Sequence, residues 1–399
     1  MKQKRILFLG ASTQQIPPIE YSKNQGHYVI TADYFPENQG HKLADEYHNV
    51  STTDLDGILT LSKKLKIDGI VAYASDVAAP TQAYVAEKMN LVGNPYEAVL
   101  TLTQKDLFRN FLVKHNFLTP KSNSFYHLQD AKKWLEEIDV PAIVKPIDSS
   151  GSKGVNKITS LMQLNSAFET ALKFSQKKKV VVEEFFIRDG YQVAGDGFVV
   201  NGKLVFRCWA NEHFNNLVNP LVPIGESFPS IISQQIQNQA HLETQRLLKL
   251  LKIKHGALNF DYHYNTNGNF SFIELGPRNG GNLIPEVIRE ATGVDLIKYT
   301  VDCALGLDCS NLKMKQTKGY YSSYILHALQ DGIVKKIWYS NEIKQNIIKE
   351  TIYIKPGDKV YKFNGSHQTL GMMIMKFETQ KEMLIKMNNM GKYLKVLID

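Results

Sequence analysis

The chain has 399 residues, with 43% hydrophobic and 22% charged side chains and a formal net charge of +8. This length predicts two to four lobes, and the composition is that of an ordinary globular protein. The three cysteines form no CxxC pair, which argues against a disulfide framework or a zinc site. No apolar run approaches the roughly 20 residues of a membrane helix, and the chain shows no recognised nucleic-acid motif. We therefore expect a cytoplasmic protein that has neither a membrane nor a nucleic acid as its partner.

The first 95 residues alternate short apolar runs with helical patterns, which is typical of a parallel α/β unit. The pattern predicts strands and helices in turn over 5–9, 13–25, 27–32, 54–65, 68–73 and 77–89. We interpret residues 1–95 as a Rossmann-like domain, a fold that binds ligands at the carboxyl ends of its strands. The turn at Gly10 lacks the other two glycines of GxGxxG, so a dinucleotide site is only weakly supported.

Residues 96–310 follow a mixed α+β pattern. The apolar periodicity predicts helices over 103–116, 128–137, 161–174, 231–251 and 283–291, and strands over 142–145 and 180–185. Two further segments, 191–210 and 255–274, are predicted hairpins because each contains an Asn-Gly turn between apolar runs. The remaining residues are strand-rich from about Gly319 and end in a helix near 380–390.

A lysine and a glycine-serine loop follow the strand predicted over 142–145. Lys145 ends the strand. The loop contributes Ser149, Ser150, Gly151, Ser152 and Gly154. Glycines let backbone N–H groups approach an anion, serine hydroxyls add donors and the lysine adds a point charge. The segment can therefore hold the β- and γ-phosphates of a nucleotide. It is not a P-loop, and a plain flexible hairpin is the alternative.

Two acids and two aromatic residues end the strand predicted over 180–185. They are Glu183, Glu184, Phe185 and Phe186. A strand end of this kind can meet an adenine edge, with Glu183 accepting from the exocyclic amine and the phenylalanines flanking the ring. The alternative is a buried strand that surfaces at its acidic end.

Asp261 and Glu274 lie on the two arms of the second predicted hairpin, among apolar neighbours. Strand pairing brings such positions side by side. Acids in a buried strand are costly unless a cation balances them, and Mg²⁺ binds few carboxylates and takes its other ligands from phosphate and water. The pair is therefore a predicted magnesium site, and a buried ion pair is the main alternative.

Arg278 opens the helix predicted over 283–291 and is followed by Asn279, Gly280 and Gly281. A guanidinium fork beside a helix N-terminus favours an oxyanion. We predict that Arg278 steadies the transferring phosphoryl group or the tetrahedral intermediate, and that residues 278–281 bind substrate. The alternative is an arginine that pairs with one of the two acids for structure.

In this order and spacing, the motifs resemble those of the ATP-grasp superfamily over roughly residues 1–310. The resemblance implies a Rossmann-like domain over 1–95 and a two-lobed ATP-grasp domain over 96–310, with its phosphate-loop lobe at about 118–188. Residues 311–399 resemble, more loosely, the small closing domain of the L-amino-acid ligase branch. ATP and Mg²⁺, with Mn²⁺ as an alternative metal, are the implied cofactors.

The resemblance also implies roles for individual residues. Lys105 and Lys145 resemble the two ATP lysines of the family, and residues 149–154 resemble its mobile phosphate loop. Residues 183–186 resemble its adenine hinge, Asp261 and Glu274 its magnesium ligands, and Arg278 its catalytic arginine.

Two positions depart from the family pattern. Gly276 stands where the family usually has an asparagine as a further metal ligand, which leaves that position to water or a backbone carbonyl. Gln192 stands near where the family often has a glutamate for the ribose, and we expect its amide to hydrogen-bond a hydroxyl there.

The implied activity is that of an ADP-forming carbon–nitrogen ligase. It activates a small-molecule carboxylate as an acyl phosphate and joins it to an amine, with an amino acid as the leading substrate. Members of the family are often dimers, so a homodimer is a possible partner state. Two alternatives remain open: a ligase for a purine-pathway or sugar-linked carboxylate, and a non-catalytic ATP-binding regulatory module, which Gly276 favours.

Overall fold

A computed structural model describes residues 3–138, 140–265 and 267–399. The N-terminal unit consists of β1 (Arg5–Leu9), β2 (Tyr28–Ala32), β3 (Glu46–His48), β4 (Gly69–Val71), α1 (Ile16–Asn24), α2 (Leu55–Leu65) and α3 (Ala79–Lys88). Its strands form one parallel sheet of order β3-β2-β1-β4, as the alternating pattern predicts. Strand β3 was not predicted, because its three residues are polar or aromatic and only half-buried.

A second unit holds the glycine-serine loop. It consists of α4 (Tyr96–Thr103), α5 (Lys105–Lys114), β5 (Ser122–Phe125), α6 (Leu128–Ile138), β6 (Ala142–Pro146), β7 (Asn156–Ile158), α7 (Leu164–Phe174) and β8 (Val180–Glu184). Its sheet is antiparallel, of order β5-β8-β6-β7, and α6 and α7 pack on it through a core that includes Leu135 and Phe168. The loop joins β6 to β7, so it hangs from the end of a buried strand.

A long antiparallel sheet forms the centre of the molecule. Its first part consists of β9 (Gln192–Val200), β10 (Lys203–Phe214), β11 (Pro223–Phe228), β12 (His255–Tyr264) and β13 (Phe270–Gly276), with α8 (Gln234–Leu251), α9 (Ile284–Thr292) and α10 (Leu296–Ala304). Both predicted hairpins are present. In the first, Val200 pairs with Lys203 across Asn201 and Gly202, and both turn residues have positive φ, as a two-residue Asn-Gly turn requires.

The C-terminal segment continues this central sheet. It consists of β14 (Tyr320–Leu326), β15 (Gly332–Tyr339), α11 (Asn341–Lys344), β16 (Ile347–Ile352), β17 (Lys359–Val360), β18 (Gly371–Phe377), α12 (Gln380–Asn388) and β19 (Leu394–Ile398). The full strand order is β13-β12-β9-β10-β11-β14-β18-β16, and β17, β15 and β19 form a separate small sheet. Because β14 pairs directly with β11, residues on both sides of position 311 share one sheet. No helix of the described ranges is long and apolar enough to cross a bilayer.

Candidate active site

Asp261 and Glu274 face each other directly in the register of β12 and β13. The hairpin therefore places the two acids side by side, as the sequence predicts. A third acid, Glu212, lies close on β10, because Gln192 donates its side-chain amide to both Asp261 and Glu212. Three carboxylates thus meet at one end of the central sheet.

Burial raises the pKa of Asp261 well above its usual range, and the nearby Glu212 and Glu274 raise it further. Burial, with the neighbouring Glu226, likewise raises the pKa of Glu212 to about 8. The site is therefore short of positive charge, and a hard divalent cation with oxygen ligands would relieve that shortage. The Asp261–Glu274 pair fits Mg²⁺, although no group of three or more potential ligands is found among the described residues.

Gln192 has hydrogen-bond partners at both ends of its amide, and its expected hydrogen bond to a ribose hydroxyl stays a prediction. Its amide nitrogen donates hydrogen bonds to two carboxylates, and its oxygen is hydrogen-bonded to His263 Nε2 at 2.7 Å. These partners occupy both ends of the amide. Gln192 thus connects the Asp261 and Glu212 carboxylates.

Lys145, Glu183 and Arg109 form a buried ion triad. Glu183 receives hydrogen bonds from Lys145 and from Arg109 Nε, the latter at 2.9 Å. Burial would raise the pKa of Glu183, but the two cations outweigh it and hold that pKa at about 2. Burial lowers the pKa of Lys145 to about 8, and the positive charges of Arg109 and Lys105 contribute to this lowering.

Glu183 is bonded to both cations in the described structure, and its expected contact with an adenine amine stays a prediction. Sequence reasoning missed Arg109 altogether. The signal was its position four residues after Lys105 on α5, which places both cations on one helix face.

Lys105 links the glycine-serine loop to the acid pair. Its Nζ donates to the Ser149 carbonyl at 2.7 Å and lies 3.8 Å from a Glu274 oxygen. Gly151 has a φ of +65°, and a Cβ there would lie 2.2 Å from Ser366 Oγ of the C-terminal segment. The loop is therefore packed against the C-terminal segment of the chain.

The two phenylalanines that follow β8 each contact a neighbouring side chain. Lys157 Nζ sits 3.6 Å from the centre of the Phe185 ring, and Phe186 stacks on His263 with the ring centres 5.5 Å apart. Both rings line a cleft of about 370 Å³, together with the exposed Glu184. The cleft is thus lined by both aromatic and cationic side chains.

Arg278 pairs with Asp76 of the N-terminal unit, which neither interpretation of this arginine foresaw. Its Nε and one Nη donate to the two Asp76 oxygens at 2.8 and 2.6 Å. The other Nη donates to Asn259 Oδ1 at 2.8 Å and to the Asn279 carbonyl at 3.0 Å. The guanidinium is held by residues from both units, on the wall of a second cavity.

The residues after Arg278 have different surroundings. Gly280 N donates to both oxygens of the buried Asp196, at 3.0 and 2.8 Å. A Cβ at Gly281 would lie 2.1 Å from Gln14 Oε1, so this glycine is needed for close packing on the N-terminal unit. Asn279 is buried and accepts from Thr300 Oγ1 at 2.8 Å, and its contact with substrate stays a prediction.

The second cavity, which we call the chamber, has a volume of about 180 Å³. It shares Gly151, Ser152, Asp261 and Glu274 with the larger cleft. The acid pair therefore lies where a nucleotide-sized cleft meets a small chamber. This arrangement can place the phosphate end of a nucleotide beside a second, smaller molecule.

Comparison with known proteins agrees with this geometry. Residues 138–286 match the family model of the ATP-grasp domain. The carbamoyl phosphate synthase large chain of Thermoanaerobacter sp. (strain X514) is 26% identical over 267 residues, which are 65% of this chain and 24% of that relative. The chain thus spans about a quarter of that relative's length.

Two solved structures have the same fold over nearly the whole chain. The L-amino acid ligase from Bacillus licheniformis superposes with a TM-score of 0.82 at 18% identity and covers 100% of both chains. The biotin carboxylase domain of the Hydrogenobacter thermophilus 2-oxoglutarate carboxylase, solved with MgADP, ADP and bicarbonate, has a TM-score of 0.74 at 15% identity over 99% of this chain and 91% of that one. Residues 138–286 are thus similar to the ATP-grasp domain, and the chain has the mixed α/β fold that the motifs predict.

Proposed function

We propose that the chain is an ATP- and Mg²⁺-dependent ligase that forms an acyl phosphate from a carboxylate and passes the acyl group to an amine, releasing ADP and phosphate. The observation that carries this proposal is the junction of cleft and chamber at Asp261 and Glu274. Such a junction suits transfer between a nucleotide and a small acceptor, since phosphoryl transfer depends mainly on positioning and charge neutralisation.

We place the base and the phosphates of ATP along the cleft as follows. Phe185 and Phe186 flank the base, and the backbone of the loop over 149–154 surrounds the phosphates. Lys105 and Lys145 face the phosphate end, where their charges favour the developing negative charge. Mg²⁺ held by Asp261 and Glu274 would neutralise phosphate oxygens.

The proposed reaction has two steps. A carboxylate oxygen attacks the γ-phosphorus and the bond to the β-phosphate oxygen breaks, which gives ADP and an acyl phosphate. A neutral amine then attacks the acyl carbon, phosphate leaves, and the extra proton passes to phosphate or water. The loop over 149–154, packed on Ser366, would keep water from the intermediate.

A coupled assay of ADP release, with Mg²⁺ and a panel of carboxylates and amines, tests the proposal. We expect ADP release only when a carboxylate is present, and a product whose mass equals carboxylate plus amine minus water. Glu274→Ala, Lys145→Ala and Arg278→Ala should each abolish it, whereas Glu290→Ala, at an exposed site on α9, should not.

Full turnover in Glu274→Ala at saturating Mg²⁺ would exclude the metal assignment. Nucleotide binding without ADP release across the whole panel would instead favour a non-catalytic ATP-binding module. A purine-pathway or sugar-linked carboxylate as the best substrate would support the same chemistry with a different donor.

A further inference from the structure

Glu226 is a buried carboxylate that the proposed chemistry does not use. It lies on β11 with 8% of its surface exposed, and its Oε2 has no hydrogen-bond partner among the residues that the structure describes. Its backbone N–H donates to Ser323 Oγ at 3.2 Å, which fixes the strand but leaves the carboxylate free. A buried polar atom without a partner costs free energy, so it calls for an explanation by function.

The strand register makes this position more costly. Glu226 faces Glu212 directly across β10 and β11, and like charges directly opposite each other are destabilising. Burial raises the pKa of Glu226 well above its usual range, with Asp196 and Asp261 adding to the effect. Packing alone would favour an apolar or amide side chain here.

The charges of the chamber point to a cationic ligand. Five acids line it: Asp76, Glu212, Glu226, Asp261 and Glu274. Arg278 is the one cation among its described lining residues, and Asp76 already neutralises it through two hydrogen bonds. A magnesium site at the acid pair would balance that corner, and Glu226 would still lack a positive partner.

The same charges disfavour a donor that carries a second anionic group besides its carboxylate. A substrate carrying a phosphate, such as a sugar phosphate, needs a free guanidinium or ammonium group in the chamber. Among the described lining residues, Arg278 is the one such cationic group, and it is already paired with Asp76. The small volume, about 180 Å³, likewise suits a compact molecule.

We propose that Glu226 binds the ammonium group of the carboxylate substrate, so that the donor is a zwitterionic amino acid. This inference rests on the proposed ligase function and names its substrate class. The carboxylate of the donor faces the proposed Mg²⁺ position at the acid pair and the phosphate end of the cleft, while its ammonium group faces Glu226. An amine kept protonated against Glu226 has no free lone pair, so it cannot act as the nucleophile in place of the second substrate.

Calorimetric binding tests the inference without requiring turnover. The probes are matched pairs, L-alanine with propionate and L-leucine with 4-methylpentanoate, titrated into the full chain with Mg²⁺ and a non-hydrolysable ATP analogue. We expect wild type to bind at least one amino acid and to bind its desamino partner more weakly. Glu226→Gln should weaken amino-acid binding about 10- to 100-fold, as loss of a charged hydrogen bond implies, and leave desamino binding unchanged.

Two measurements separate this inference from the proposed function. The affinity for the Mg²⁺–nucleotide alone should be the same in wild type, Glu226→Gln and the exposed-site control Glu290→Gln. If Glu226→Gln does not fold, Glu226→Asp replaces it, with a smaller loss in the same direction.

The role of Glu226 would be overturned if wild type bound an amino acid and its desamino partner equally well. It would also be overturned if wild type and Glu226→Gln bound the amino acid equally well. The absence of amino-acid binding by a wild type that binds nucleotide would likewise overturn it. Selective amino-acid binding that weakens in the variant, without ADP release, would support Glu226 while removing the ligase function.

Discussion

Substituting Glu183 by glutamine isolates the charge of the buried triad. The change keeps size and shape, and the amide oxygen still accepts one hydrogen bond. It removes the only carboxylate bonded to both Lys145 and Arg109 in the described structure, so two buried cations remain without balance. We expect the variant to fold with a lower free energy of unfolding.

The magnitude follows from the pKa of Glu183, which the cations hold at about 2 against an ordinary 4.5. At about 1.4 kcal/mol per pH unit, the ionised carboxylate contributes about 3 kcal/mol. Because the folded-state pKa is depressed, this contribution is full above pH 4.5 and is lost as the pH falls towards 2. The difference between wild type and variant should therefore be constant near pH 7 and shrink below pH 4.5.

Urea unfolding followed by tryptophan fluorescence measures the effect at pH 7 and at pH 4. The matched control is Glu184→Gln, because Glu184 is the next residue and is exposed. We expect Glu184→Gln to change the free energy of unfolding by less than about 0.5 kcal/mol. If Glu183→Gln unfolded at the same urea concentration as Glu184→Gln at pH 7, the triad would not stabilise the fold as argued.

Three further outcomes are expected. Asp76→Asn removes the carboxylate that pairs with Arg278, and should lower the free energy of unfolding measured in urea by about 3–5 kcal/mol. Burial raises the folded-state pKa of Asp196 from 3.8 to about 7 and that of Glu212 from 4.5 to about 8, so the ligand-free protein should lose stability as pH rises from about 4 to about 8 and change little above that; Mg²⁺ with ADP should oppose the loss in melting curves from pH 5.5 to 8.5. Gly151→Ala should slow ADP release through its contact with Ser366, and Ser366→Gly should partly restore the rate.

The parts of the site that sequence alone predicted are those built by neighbours in the chain. Asp261 and Glu274 belong to one hairpin, so strand periodicity and an Asn-Gly turn suffice to place them opposite each other. The glycine-serine loop follows the end of β6 for the same local reason. These features need only short-range pairing, which the residue pattern encodes directly.

The partners of the polar side chains came from distant segments. Glu183 meets a helix residue 74 positions earlier, and Arg278 meets Asp76 across 202 positions. A charged side chain reveals in sequence that it needs a counter-charge or a hydrogen bond, but several candidates satisfy that need equally well. This is why the sequence did not reveal the partners that Gln192 and Glu183 have in the described structure, while the ribose role of Gln192 and the adenine role of Glu183 stay predictions.

The sequence by itself determined the order of elements, the acid pair and the loop. Tertiary structure alone decided which charges neutralise one another and which remain unpaired. Glu226 illustrates the difference, because in sequence it is one acid in an ordinary strand. Its significance depends on β11 lying between β10 and β14, where packing excludes water and leaves one oxygen without a partner. Desolvation depends on everything that surrounds a group, so only the assembled fold determines it.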